Sequence, residues 1–282
     1  MNPYRDPVPT VNFNRFKIVL SNSIQNPKPI IPLKIYQTWH TIDMPEKMKQ
    51  TVNKLKHDNP EFRHYLYDDA MCRTFIMNNF DNDVLNAFDT LKPGAFKADL
   101  WRYCILYVNG GIYLDIKYTC KPGFKLIHLI NKEYFVRDYK VVDAYGVYQA
   151  LMINSPKNEV LMKSIRQIAA NVYNNFYGSS CLEITGPQLI NKFLKQEDII
   201  KSELYLDKLG IYYNKQLILT IYADYRKEQL KNQNTAYYYN LWLKKDIYSR
   251  ERDLNSRPMD LQSTVLPTEL SRDKNIENIE II

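Results

Sequence analysis

The chain has 282 residues, 45% of them hydrophobic and 24% charged, with a formal net charge of +7. That is ordinary for a globular protein and long enough for one large α/β domain or two small ones. The Lys and Arg residues are dispersed and often sit beside acids, as in Lys195-Gln-Glu-Asp198, and no zinc finger, RNP-type aromatic motif or basic-region helix occurs, which argues against nucleic-acid binding.

Residues 1–30 hold several prolines and weak periodicity apart from Phe16–Leu20, which predicts an irregular arm with one short strand. Leu33–Trp39 is apolar and alternating and predicts a first buried strand. A helix is expected from Pro45 to about His57, with Met48, Val52 and Leu55 on one face, broken by Asn59-Pro60. Phe62–Tyr67 predicts a second strand, Asp68-Asp69 a cap for a helix over 70–78, and a further helix spans roughly 81–89. Pro93 opens a long helix with a broad apolar face that ends at Asn109-Gly-Gly111, where glycine supplies the dihedrals of a helix C-terminus. Ile112–Asp115 reads as the next strand, and Phe124–Leu129 and Tyr145–Ile153 as further strands. Helices are expected from Asn158 to about Tyr173 and from Pro187 through Leu194. Residues 204–222 are strand-like, and the segment after about 250 is polar. Alternating strands and helices imply an α/β sheet with helices on both faces.

The cysteines, Cys72, Cys104, Cys120 and Cys181, form no C-x-x-C pair, which speaks against a zinc site or a disulfide framework and fits a reducing compartment. No apolar run reaches about 18 residues, and Met1–Pro7 lacks a signal peptide's apolar core, so no transmembrane anchor and a cytoplasmic location are expected.

The densest chemistry lies in Ala95–Tyr103 and Gly110–Lys117. Asp99 and Arg102 stand at i, i+3, on one helix face. They are either a surface ion pair, worth little, or a ligand-facing pair; the apolar flanks favour the second, since buried charges need partners. Asp115 ends a strand, where open α/β sheets bind ligands. Tyr113 alternates onto the same strand face as Asp115, or is a core tyrosine. Thr185 and Gly186, before Pro187, offer backbone N–H groups to an anion, or form a plain turn and cap.

These landmarks resemble a known family. Ile31–Trp39, Asn59-Pro60, Lys92-Pro93, Lys97-Ala-Asp99, Arg102, Gly110-Gly-Ile-Tyr-Leu-Asp115 and Thr185-Gly-Pro187, with a weaker Tyr239-Asn-Leu-Trp242, are similar in order to the DXD-motif glycosyltransferases that include yeast initiating mannosyltransferases and bacterial capsule enzymes, with clostridial glucosylating toxins as distant relatives. The resemblance implies a GT-A fold, a Rossmann-like mixed sheet in a single catalytic domain over residues 31–250, between an arm (1–30) and a polar tail (251–282). It implies retaining transfer of a sugar from a nucleotide-diphosphate donor, by analogy a UDP-sugar, to a hydroxyl of a glycan or glycoprotein acceptor. It casts Trp39 as the aromatic under the donor base or a core Trp. It also makes Asp99, Arg102 and Tyr113 donor-sugar and phosphate contacts, Thr185 and Gly186 further donor contacts, and Asp115 the metal ligand and central catalytic group.

The chain departs from the pattern at one position. The motif's second carboxylate, which helps hold Mn²⁺ or Mg²⁺, is Lys117, and an ammonium cannot ligate a metal. A late histidine common in relatives is absent, with Tyr237-Tyr-Tyr239 in that region. Three readings follow: a divalent cation held by Asp115, donor phosphates and waters; Lys117 itself replacing the cation; or a degenerate site that only binds a nucleotide sugar or carbohydrate. Lys117 reaches the Asp115 face only if the strand continues, and otherwise faces solvent.

Overall fold

Lys34–Thr38 forms β1, buried at its centre through Ile35, Tyr36 and Gln37. The computed structural model describes residues 30–141, 144–232 and 236–249; the expected arm, its strand at Phe16–Leu20 and the tail lie outside them. Helix α1 (Glu46–Asp58) buries Met48, Val52 and Leu55, as their spacing predicts. β2 (Arg63–Tyr67) pairs with β1 in parallel. Asp68 and Asp81 cap α2 (Asp69–Asn79) and α3 (Asn82–Thr90), accepting from the amides of Met71 at 2.8 Å and Val84 at 3.3 Å. Each satisfies a donor that the first helical turn leaves without a partner.

Helix α4 (Gly94–Asn109) is buried from Asp99 through Leu106, and Gly110 and Gly111, with φ of +62° and +111°, turn the chain into β3 (Gly111–Leu114). A Cβ on Gly111 would stand 2.7 Å from the Lys34 carbonyl oxygen, so only glycine lets β3 lie against β1. Beyond β4 (Tyr118–Cys120) come β5 (Tyr134–Val141), β6 (Ala144–Asn154) and α5 (Glu159–Tyr173). Two short helices follow, α6 (Pro187–Asn191) and α7 (Gln196–Ile200). The described residues end with β7 (Leu204–Asp207), β8 (Gly210–Tyr213), β9 (Gln216–Ile221), α8 (Tyr225–Asn232) and α9 (Tyr238–Leu243).

The sheet order is β2-β1-β3-β6-β5-β7-β8-β9-β4, with β2, β1 and β3 parallel and β6 antiparallel to β3. Alternate strand residues divide between two cores. Tyr36, Tyr113 and Met152 join the larger one, with Ile76, Phe88, Trp101 and Ile165 from the helices. Ile35, Ile112, Leu114 and Ile153 face the other, with Leu55 and Phe62. This is the mixed α/β architecture with helices on both faces that the sequence predicts.

The sheet curls. β3 and β4 are third and ninth in the order, yet only Asp115, Ile116 and Lys117 join them. Six strand spacings of about 4.8 Å would separate the two by about 29 Å in a flat sheet, whereas four Cα–Cα steps reach at most about 15 Å. The far edge therefore folds back towards β3. Helix α8, which buries no residue of its own, is pinned there by Glu228. The Glu228 carboxylate accepts from the amides of Lys47 at 3.1 Å and Met48 at 3.0 Å and from the Tyr222 hydroxyl at 2.8 Å. It thereby supplies the N-terminal cap that Pro45 cannot give α1.

Three expectations are corrected. Phe124–Leu129 is not a strand: Leu126–Leu129 is a 3₁₀ turn that buries Leu126 and Leu129, with the Leu126 amide held by the buried Asn59 side chain at 2.8 Å. The helix after Pro187 stops at Asn191 rather than running through Leu194. The strand expected to include Asp115 ends at Leu114, because the Tyr118 amide donates to the Asp115 carbonyl at 3.1 Å and closes a turn. Strands β4 and β5 and helices α8 and α9 carried no clear periodicity. The 204–222 run divides into β7, β8 and β9, with Asn214 and Lys215 at positive φ in the second hairpin.

Gly111→Ala combines a left-handed φ with a backbone clash and is expected to cost about 2–3 kcal/mol. Urea unfolding should show a lower midpoint with an unchanged slope.

Candidate functional site

β1 and β3 run parallel, and their carboxyl ends deliver Thr38-Trp39 and Asp115 to one cleft of about 580 Å³. This is the end of a parallel sheet at which ligands bind. Arg102 and Ala98 of α4 line its floor. The folded-back edge supplies the opposite wall, through Tyr222, Tyr225 and Arg226, and Tyr237 and Tyr238 close the rim.

A row of alternating charge runs under the cleft. The Arg102 guanidinium lies 3.4 Å from the Asp99 carboxylate and 3.5 Å from that of Asp115. It also donates to the carbonyls of Gln149 at 3.0 Å and Ala98 at 3.3 Å, and lies over the Tyr113 ring at 4.5 Å. The Thr185 hydroxyl donates to Asp99 at 2.8 Å. Asp115 accepts on one oxygen from the Tyr113 hydroxyl at 2.8 Å and on the other from the Lys117 ammonium at 2.7 Å.

Burial alone would destabilise each of these charges, and the neighbours decide the outcome. Burial raises the Asp99 carboxyl above its usual range, Arg102 and Thr185 opposing. For Asp115, burial pushes upward, but the charges of Lys117 and Arg102 prevail and hold the carboxyl below its usual range. For Lys117, burial pushes downward, and the Asp115 charge outweighs it to leave the ammonium raised. Burial likewise acts downward on Arg102, and Tyr113, Asp99 and Asp115 reverse it.

Five of the residues singled out in the sequence, Trp39, Arg102, Tyr113, Asp115 and Lys117, line the cleft. Asp99 lies behind Arg102, and Thr185 is fully buried behind Asp99. Gly186, at the start of the five-residue α6, does not reach the cleft either, so neither it nor Thr185 offers an N–H there. Lys117 follows neither sequence alternative: the strand has ended, yet the turn swings its side chain back onto Asp115, with 17% of it exposed. Trp39 packs beside Met48, Val52 and Ile116, and its indole N–H has no hydrogen-bond partner among the described residues. The His40 ring lies 4.8 Å from that of Trp39, tilted by 46°, and lines the cleft; burial lowers its pKa, Asp69 opposing. His40, Tyr148, Tyr222 and Tyr225 were not singled out in the sequence. They come from three segments far apart in sequence; the abundance of tyrosine was the only signal for the three tyrosines, and nothing marked His40.

The divalent cation expected at Asp115 does not fit the side chains in this arrangement. Both carboxylate oxygens are engaged, and a fixed ammonium occupies the second. A dication about 4 Å from that ammonium would be repelled by about 8 kcal/mol at an effective dielectric of about 20. Among the described residues, no three His, Cys, Asp or Glu side chains gather as a metal site.

Comparison with known proteins matches residues 45–135 to the family described as "Glycosyltransferase sugar-binding region containing DXD motif", which bears out the sequence resemblance. Inositol phosphoceramide mannosyltransferase 2 of Schizosaccharomyces pombe is 30% identical over 59% of this chain and 45% of its own. Mannosyl phosphorylinositol ceramide synthase SUR1 of Saccharomyces cerevisiae is 29% identical over 60% of this chain and 44% of its own. The chain thus spans about half the length of the curated relatives it matches. Among solved structures, the PaToxG glycosyltransferase aligns with a TM-score of 0.45 at 16% identity, over 65% of this chain and 76% of its own. No helix among the described residues is long and apolar enough to cross a membrane.

Removing the Asp115 carboxylate strands the buried Lys117 without a counter-charge and leaves Arg102 only Asp99, so Asp115→Ala should cost about 3 kcal/mol in urea unfolding at neutral pH. Asp115→Ala combined with Lys117→Met should recover part of that loss. The pKa of Asp115 is depressed on folding, so its contribution is complete above its unfolded value of about 3.9 and lost as pH falls through the lower folded value. Stability below pH about 4 should therefore fall less steeply in Asp115→Ala than in the wild type.

Proposed function

We propose that this chain, whose residues 45–135 carry the sugar-binding region of the DXD glycosyltransferases, is a hexosyltransferase of GT-A type. It moves a sugar from a nucleotide-diphosphate donor to an acceptor hydroxyl. The observation that carries the reading is the convergence of Trp39, Arg102, Tyr113, Asp115 and Lys117 on one cleft at the carboxyl ends of β1 and β3. A base stacks on Trp39, and the diphosphate lies towards the Asp115 turn. The sugar occupies the floor above Arg102, where Ala95 and Ala98 leave room.

In the reaction the bond between the anomeric carbon and the diphosphate oxygen breaks. The acceptor oxygen bonds that carbon and loses its proton, and the nucleoside diphosphate leaves with the electron pair. The protein's contribution is positioning and stabilisation of charge on the departing diphosphate. Arg102, with its donors committed to Asp99, Asp115 and two carbonyls, fixes Asp115 rather than meeting the donor directly. The acceptor enters past the aromatic rim at Tyr237 and Tyr238, whose rings suit a sugar face. The names of both fungal relatives point to mannosyl transfer, so guanosine-linked mannose belongs among the donors to be tried beside the uridine-linked sugars.

The test is nucleotide release from a panel of UDP- and GDP-sugars, with and without candidate acceptor glycans and glycolipids. Release from one donor, abolished in Asp115→Ala, is the expected result. Trp39→Ala should weaken donor binding about 5- to 100-fold, the worth of one stacked base. Donor binding with no release for any acceptor would instead mark a binding protein of the same fold.

A further inference from the structure

The matched family is defined by a DXD motif, and here that motif reads Asp115-Ile-Lys117. The substitution is built into the site rather than merely tolerated by it. The turn from Asp115 to Tyr118 returns Lys117 to Asp115, and their ion pair is 2.7 Å long. The rings of Tyr118 and Tyr148 stand 5.5 and 5.4 Å from the ammonium, and a 2.9 Å hydrogen bond between their hydroxyls ties them together. The Lys117 carbonyl accepts from the Tyr222 amide at 3.1 Å, so its backbone is fastened to the opposite wall as well.

The cations near the cleft are not equivalent. Arg102 directs its donors inward, to two carbonyls and two carboxylates. Arg226, on the opposite wall, is exposed and bonded to Gln229 at 2.7 Å. Lys117 uses one ammonium N–H on Asp115 and has no other side-chain hydrogen bond among the described residues. An ammonium has three N–H donors. Two therefore remain for a ligand, on a group that already lines the cleft.

We propose that Lys117 is the built-in counter-ion for the donor's diphosphate, so that this chain binds and uses its nucleotide donor without a divalent cation. The inference rests on the glycosyltransferase reading above and deepens it. Asp115 then positions the ammonium instead of ligating a metal, and the Asp99–Arg102 pair fixes Asp115 from behind. A point charge with free donors is sufficient to hold phosphate oxygens, and one held in place needs no reorganisation when charge develops on the leaving group.

Isothermal titration calorimetry with UDP and with GDP tests this on protein stripped of metal, in EDTA and in Mn²⁺, for the wild type, Lys117→Met and Lys117→Asp. The expected wild-type result is binding of one nucleotide with affinities in EDTA and Mn²⁺ that agree within about threefold. Lys117→Met should lose about 10- to 100-fold in both conditions. Lys117→Asp, which restores two carboxylates, should bind only with Mn²⁺. Wild-type binding that requires Mn²⁺ overturns the assignment of Lys117 and leaves the transferase reading standing. No binding of either nucleotide by the wild type or Lys117→Asp in any condition overturns both. Should Lys117→Met fail to fold, as judged by its melting curve, the wild-type comparison of EDTA with Mn²⁺ decides alone.

Discussion

Everything around the cleft is organised by the need to keep four charges together out of water. Asp99, Arg102, Asp115 and Lys117 alternate in sign, and each would be unstable at its depth without the next. The need explains why α4 and β3 meet through two glycines: Arg102 comes from the helix and Asp115 from the strand's end. A looser connection would let the guanidinium and carboxylate drift apart. It also explains Thr185, whose hydroxyl serves the end of the row farthest from the cleft. The row is internally neutral, so a doubly charged ligand arrives at a site with no net charge of its own. Selectivity must come from where donors point rather than from total charge.

The curl of the sheet follows from the same place. A three-residue link between the third and ninth strands forces the far edge round, and the strand it brings becomes the wall opposite Asp115. Helix α8 contributes to that wall without burying any residue of its own. One carboxylate, Glu228, holds it by capping α1 from across the fold. A polar contact therefore positions a ligand-facing surface where the hydrophobic core does not reach.

The first half of the fold was legible because its signals are local. Met48, Val52 and Leu55 recur at helical spacing, Asp68 caps α2, and Gly110-Gly111 ends α4. Trp39, Arg102, Tyr113 and Asp115 could be read because each stands at the end or on one face of such an element. The pose of Lys117 could not be read from strand periodicity, because it depends on a turn and on the pairing of β4 with a strand far along the chain. Leu126–Leu129 misled because a short apolar run fits a strand and a 3₁₀ turn equally well; the Asn59 side chain that selects the turn is distant in sequence. The tyrosines of the opposite wall were hidden among 23 in the chain, with no spacing to mark them.

The pairing of Tyr118 with Ile221 has a consequence for the order in which the molecule can assemble. Chain synthesis delivers Asp115 and Lys117 about 100 residues before the strand that walls them in, and closing so long a loop is entropically slow. Until β9 arrives, the ammonium is hydrated and the cleft has only one side. The segment that carries the family's signature, residues 45–135, thus holds the charges of the site but not its shape. Desolvation of Lys117 must therefore await the pairing of β4 with β9, which brings the far edge of the sheet back to β3.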